Sequence, residues 1–149
     1  IIMKPVKPQQ FALGLQDFLK KIDQINTKVS PSYSELKKFL DSDQLPDLSD
    51  SKFKNIAAEF MDANEQYQQA VDNLKGLSAP VHLIGLKMNL VAYFQDYVNT
   101  TKDMTNSLNL DKKSVDLAKF SQSEKDQDDL MHKVNRNVNR ILMSRGLQG

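Results

Sequence analysis

The chain has 149 residues, a near-neutral balance of 20 Lys plus Arg against 19 Asp plus Glu, and no cysteine. That length suits one domain, read here as a single helical-bundle domain over 1–149. Zero cysteine excludes disulfides, thiol catalysis and cysteine-held metals. A net charge of +1 gives no general attraction to nucleic acid or to a membrane surface. No apolar run approaches the roughly 20 residues of a membrane span.

Lys4-Pro5-Val6-Lys7-Pro8 reads as an extended lead-in over 1–8, because proline fixes φ and disfavours helix in the residue before it. Phe11, Leu15, Phe18, Ile22, Ile25 and Val29 follow at alternating steps of four and three. That spacing puts one apolar stripe on a helix from Gln9 to Val29, with Ser30-Pro31 as its end. Ser32 and Glu35 match a capping box, so a separate short helix is expected from Tyr33 to Leu40. Its Leu36, Phe39 and Leu40 would close one end of the bundle. The Asp-rich, Pro46-containing segment Asp41 to Asp50 reads as a loop.

A second long helix is expected from Ser51 to Gly76, with a stripe through Phe53, Ile56, Phe60, Ala63, Tyr67 and Leu74. Gly76 sits where a left-handed cap is wanted. Ser78 and Pro80 open a third, with Leu83, Leu86, Leu90, Phe94, Tyr97, Thr101, Met104 and Leu108 on one side. Gly85 lies inside it and reads as a place of close helix contact. Asn109-Leu110-Asp111 reads as the turn and N-cap before a fourth helix. That helix carries Leu117, Phe120, Met131, Val134, Val138 and Ile141, but its centre, Ser121 to Asp126, is polar. We expect one long helix that is poorly buried in the middle, ended by Gly146 and a frayed tail over 146–149. The fold expected is an all-α, mostly antiparallel up-and-down four-helix bundle with a short extra helix between the first two long ones. The same heptad spacing also serves intermolecular coiled coils, so an oligomer stays open.

Candidates for chemistry are few. His82 and His132 are the only histidines and stand in no H-x-x-x-H or E-x-x-H pattern. Asp126, Asp128 and Asp129 form one acidic group, and Asp41, Asp43, Asp47 and Asp50 another. The second fails the EF-hand pattern at Pro46 and Lys52, so turn formation and capping account for it. All three arginines, Arg136, Arg140 and Arg145, fall near the C-terminus. His132, Arg136 and Arg140 stand four apart on one helical face, which either contacts an anion or partner or simply offsets the helix dipole. Tyr67, Tyr93, Phe94 and Tyr97, with Thr100 and Thr101, either line a small-ligand pocket or make ordinary core with hydroxyls at its wet edge. No catalytic residue, metal site or cofactor is assigned, and no nucleophile is paired with a base.

Acids run 15 Asp to 4 Glu, and bases 17 Lys to 3 Arg. This bias points to an exported protein of a low-GC Gram-positive bacterium. The opening Ile1-Ile2-Met3 suggests a processed or trimmed chain from which a signal or anchor was removed. The segment Ser78-Ala79-Pro80-Val81-His82-Leu83-Ile84-Gly85, the helix bearing Tyr93, Tyr97 and Met104-Thr105, and the stretch Ser123-Glu124-Lys125-Asp126-Gln127 together resemble a family of small extracytoplasmic helical proteins of lactobacilli and related Firmicutes. Many of these are lipoproteins, and the family brings no known activity with it. The resemblance covers residues 50 to 140, and the lipobox cysteine of such a lipoprotein is not in this chain. The leading expectation is a non-enzymatic, extracytoplasmic interaction domain that is cell-surface anchored or secreted. Its partner would be a protein or cell-envelope component, and its only membrane attachment a removed anchor. The alternatives are a helical small-ligand sensor built around Tyr67, Phe94 and Tyr97, and a cytosolic coiled-coil adaptor or nucleic-acid binder using Arg136 and Arg140.

Overall fold

Four apolar stripes need one another's company, and the computed structural model, which describes residues 6–144, shows how they find it. The helices are α1 (Pro8–Asp41), α2 (Asp50–Gly76), α3 (Ile84–Asn106) and α4 (Leu117–Leu142). They form an all-α, antiparallel up-and-down bundle in which α1 packs on α2, α2 on α3 and α3 on α4. Side chains close the ring between α1 and α4, where Tyr33 stacks on Phe120 with ring centres 6.2 Å apart. No helix among the described residues is long and apolar enough to cross a membrane.

The expected break at Ser30-Pro31 does not occur. Tyr33 to Leu40 is the last part of α1, and the link to α2 holds only a single 3-10 turn, Leu45–Asp47. Proline costs a helix interior about 3 kcal/mol. Three contacts beyond Pro31 offset that cost: Leu36 is fully buried, Tyr33 bonds and stacks on α4, and Lys37 pairs with Glu124 at 3.0 Å. Glu35 makes no capping box and instead faces Lys52 at 3.5 Å. Lys7 is extended and Pro8 occupies the first turn of α1, whereas most of the lead-in falls outside the described residues, as do Arg145, Gly146 and the tail.

Ser49 caps α2 by accepting from the Lys52 amide at 3.2 Å. Gly76 is the last helical residue and adopts no left-handed conformation; Leu77 ends the helix in an extended one. Gly85 is not a close-contact site either, since a Cβ there would meet nothing within 4 Å. Gly14 is the tight spot: a Cβ on it would lie 2.5 Å from a Leu77 methyl, which lets the α2–α3 link fold down onto α1. Residues 109–111 are not the N-cap of α4. They belong to a small antiparallel hairpin that pairs Leu108 with Val115 and Asn109 with Ser114, and Asp116 caps α4 by accepting from the Lys119 amide at 3.1 Å. Leu117, expected in the stripe, is exposed.

The core has two parts. The larger surrounds Phe11, Phe18, Val71, Leu90, Phe94, Val98 and Ile141; the smaller surrounds Leu36, Leu48, Phe53, Ile56, Met104 and Phe120. The polar centre of α4 lies beside their junction. It is one continuous helix and poorly buried in its middle, as expected: Ser123 is inside and Glu124 is held between Tyr33 and Lys37, but no residue between Ser123 and Val134 is buried.

Candidate functional site

Between the two cores the four helices part around a cleft of about 230 Å³. Its walls repeat one spacing. Asn26, Ser30 and Tyr33 come from α1, Phe60, Asn64 and Tyr67 from α2, and Tyr97, Thr101 and Met104 from α3, each set at steps of four and three. That spacing places each set on one helix face. Gln127 of α4 completes the wall, and the small Ala63 leaves room in it. No lining residue is charged. The cleft opens to solvent beside the exposed Ser30, next to Pro31. Pro31 has no N–H to give the Thr27 carbonyl, so the α1 ladder is one bond short at this level.

A network of neutral groups holds the walls. Tyr67 donates to Asn26 Oδ1, Asn64 donates to Thr105 Oγ1 at 2.7 Å, and Gln127 donates to Ser123 Oγ at 3.0 Å. Ser123 in turn donates to the Thr100 carbonyl of α3. Burial pushes the Tyr67 hydroxyl well above its ordinary range, and the neighbouring Tyr97 adds to the shift. Burial also raises Tyr97, with Tyr67 partly opposing it. Tyr33 is raised as well, by burial first and then by its bond to Glu124. These hydroxyls stay protonated at neutral pH, so they serve as hydrogen-bonding groups and not as bases. Asn26 Nδ2, Asn64 Oδ1 and Gln127 Oε1 have no hydrogen-bond partner among the described residues, which leaves donors and acceptors for an occupant.

The structure separates the four aromatic candidates. Tyr67 and Tyr97 line the cleft. Phe94 does not: it is fully buried in the larger core, 5.0 Å edge-on to Phe18 and 5.2 Å from Tyr97 between ring centres. Tyr93 faces a different pocket, formed with Asn89, Lys133, Arg136, Asn137 and Arg140. Of the basic strip, Arg136 and Arg140 share that pocket, while His132 is exposed and sits 3.8 Å from Asp128. Thr101 is a cleft residue, but Thr100 acts through its carbonyl. His82 lies exposed in a 3-10 turn, Val81–Leu83.

The acidic groups are partners of lysines and turns. Asp50 meets Lys113 at 3.4 Å, Asp41 meets Lys37 at 3.5 Å, and Asp126 accepts from Gln122 at 2.9 Å. Among the described residues no three His, Asp or Glu come together in a way that could hold a metal. Asn26, Asn64 and Gln127 were the residues that sequence reading missed as a set. The available signal was an amide side chain on or beside the apolar stripe, at matching depth in three helices. No family model, curated protein or solved structure matches the chain.

Proposed function

We propose that this bundle is a non-enzymatic binding module that holds a small, neutral, partly aromatic molecule in the cleft between its two cores. One observation carries the reading: an interior cleft walled by all four helices, without a charge, whose amides and hydroxyls converge from every side. Ligand sites are typically concave, largely apolar and furnished with a few placed polar groups. Tyr67, Tyr97 and Phe60 supply flat apolar surface, and Asn26, Asn64 and Gln127 supply orientation. A charged ligand would find no counter-charge on these walls and would lose its hydration. The extracytoplasmic setting belongs to the same proposal, as the soluble part of a surface-anchored or secreted protein. Composition supports it through the Asp and Lys bias.

The test is a thermal-shift screen with neutral phenol- and benzamide-type fragments, run beside Ala63→Phe, which fills the cleft. A ligand at a hundred times its Kd stabilises by about 2.7 kcal/mol. In a chain of this size that corresponds to roughly 5–10 °C in Tm. The expected result is a shift for some fragments with the parent protein and none with the filled variant. Equal shifts in both proteins, or none in either, would overturn the reading.

A further inference from the structure

The near-neutral total of charge hides a split along the bundle axis. Antiparallel packing brings the start of α1, the α2–α3 link and the end of α4 to one end. Residues 1–16, 73–95 and 130–149, whose described parts build that end, hold eight of the 20 Lys and Arg and none of the 19 Asp and Glu. The remainder carries 12 bases against 19 acids. Helix dipoles explain the cations: Lys75 and Arg140 lie in the last turns of α2 and α4, and Lys87 donates to the Lys75 carbonyl at 2.8 Å. They do not explain the missing acids. A helix N-terminus favours Asp or Glu. At the other end α2 and α4 follow that preference, with Asp50 in the first turn and Asp116 as N-cap. At this end α1 and α3 have no acid in the first turn, and the residue before α1 is the exposed Lys7. The nearest acid, Asp72, is offset by Lys75 at 3.8 Å.

Exposed apolar side chains gather at the same end. Of nine large ones among the described residues, six are here: Leu13, Val81, Ile84, Met88, Leu142 and Met143. Val81 is 88% and Met88 64% exposed, and with Ile84 they follow at steps of three and four across the start of α3. At a rise of about 1.5 Å per residue, Leu13 and Met88 stand within about 8 Å of the first residues of their helices. We propose that this end of the bundle docks on an anionic lipid bilayer, with its apolar side chains in the interface and its lysines and arginines against the headgroup phosphates. Interfacial segments bury their apolar face by about 5–10 Å, which covers all six side chains. Each cation near an anionic surface adds to binding and an acid would subtract from it, so an acid-free end is what such a surface requires. A nucleic acid would use the cations and leave the apolar side chains in water. A fluid interface also suits side chains spread over three helices, because it takes up each one separately. The interior cleft plays no part in this contact, so the inference stands or falls apart from the proposed function.

The experiment is co-sedimentation at moderate salt with vesicles of phosphatidylcholine alone and of phosphatidylcholine with an equal part of phosphatidylglycerol. Three proteins are compared: the parent, Val81→Glu with Met88→Glu, and Met61→Glu with Leu110→Glu. The last pair makes the same change in charge and removes exposed apolar side chains away from this end, Met61 being 57% and Leu110 44% exposed. All four side chains lie outside the core, so both variants should fold as the parent does. The parent should bind the phosphatidylglycerol vesicles in preference to phosphatidylcholine alone. Val81→Glu with Met88→Glu should weaken that binding about tenfold or more, whereas Met61→Glu with Leu110→Glu should leave it within about threefold. Orientation is read independently. The chain has no cysteine, so Val81→Cys or Leu110→Cys carries a single polarity-sensitive dye. Emission at 81 should shift to the blue on phosphatidylglycerol vesicles, and emission at 110 should not. The proposal is overturned if the parent does not prefer the anionic vesicles, if the two glutamate pairs weaken binding equally, or if the dye at 110 shifts and the dye at 81 does not. Binding to duplex DNA in place of vesicles would identify a different anionic partner and would overturn it as well.

Discussion

Tyr67 belongs to the core and to the cleft at once. Its ring packs edge-on to Tyr97 at 5.6 Å and to Phe94 at 6.2 Å, while its hydroxyl bonds Asn26 across from α1. Burial holds the hydroxyls of Tyr67 and Tyr97 in the protonated form. The consequence for stability has a definite sign. An unfolded tyrosine ionises near its ordinary 10.0, whereas the folded ones keep their protons above that. Their contribution is therefore fully present below pH 10 and declines as pH rises toward the folded values, because there the unfolded state binds fewer protons. Lys37, raised by its bond to Glu124, acts in the same direction. Melting temperature should fall progressively above about pH 10 through these groups. Tyr67→Phe removes one titrating group and should make the fall shallower, at a neutral-pH cost of about 1 kcal/mol for the lost bond. An alkaline limb unchanged in both Tyr67→Phe and Tyr97→Phe would show that these hydroxyls titrate normally.

Among the elements, α1 departs furthest from its local sequence. Ser30-Pro31 and a capping-box pattern both favour a stop, yet the helix continues for another ten residues. Local preference is worth a few kcal/mol here, and the contacts of Tyr33, Leu36 and Lys37 with the rest of the bundle exceed it. Replacing Pro31 with Ala restores the missing amide and removes a penalty of about 3 kcal/mol. It also loosens the unfolded chain by up to about 1 kcal/mol. Pro31→Ala should therefore stabilise by about 2 kcal/mol, read as a higher midpoint in urea at unchanged m-value. A lower midpoint would mean that the proline geometry is itself needed to seat Tyr33 and Leu36. The hairpin at 108–115 is the complementary case. It is a tight excursion that Asp116 ends by capping α4, and Lys113 anchors it by donating to the Leu48 carbonyl at 2.7 Å.

For the whole molecule, the consequence is a bundle whose two cores are separated by a polar junction. Burial is deepest in the larger core, where Leu15, Val71, Leu90, Val98 and Ile141 are fully enclosed. The smaller core depends on the segment after Pro31 and on the Leu45–Asp47 link. Opening free energies follow local burial, so the two ends should differ. Amide hydrogen exchange should be slowest in α2 and α3 around Val71, Leu90 and Val98. It should be faster in α1 beyond Pro31 and in the hairpin. A ligand in the cleft should slow the faster group most, since Asn26, Ser30 and Tyr33 of α1 line it. Uniform protection from end to end would contradict this division.

The sequence by itself determined the class of fold, because stripes such as Phe11 to Ile25, and Phe53 to Leu74 on α2, can be buried only against other helices. It also marked Tyr67, Tyr97, Arg136 and Arg140, which stand in one pocket or the other. Tertiary structure alone decided the rest, and the physical reason is the same in each case. Pro31 continues a helix because Leu36 and Tyr33 have partners on other elements. Gly14, and not Gly85, is the close approach because the α2–α3 link folds back over α1. Asn26, Asn64 and Gln127 converge because three helices present them at one depth, and Asn137 is buried because α3 covers it. Periodicity records which face of a helix is apolar. Which polar groups come to share a cleft depends on how deep each helix slides against its neighbours, and that is set by packing between elements.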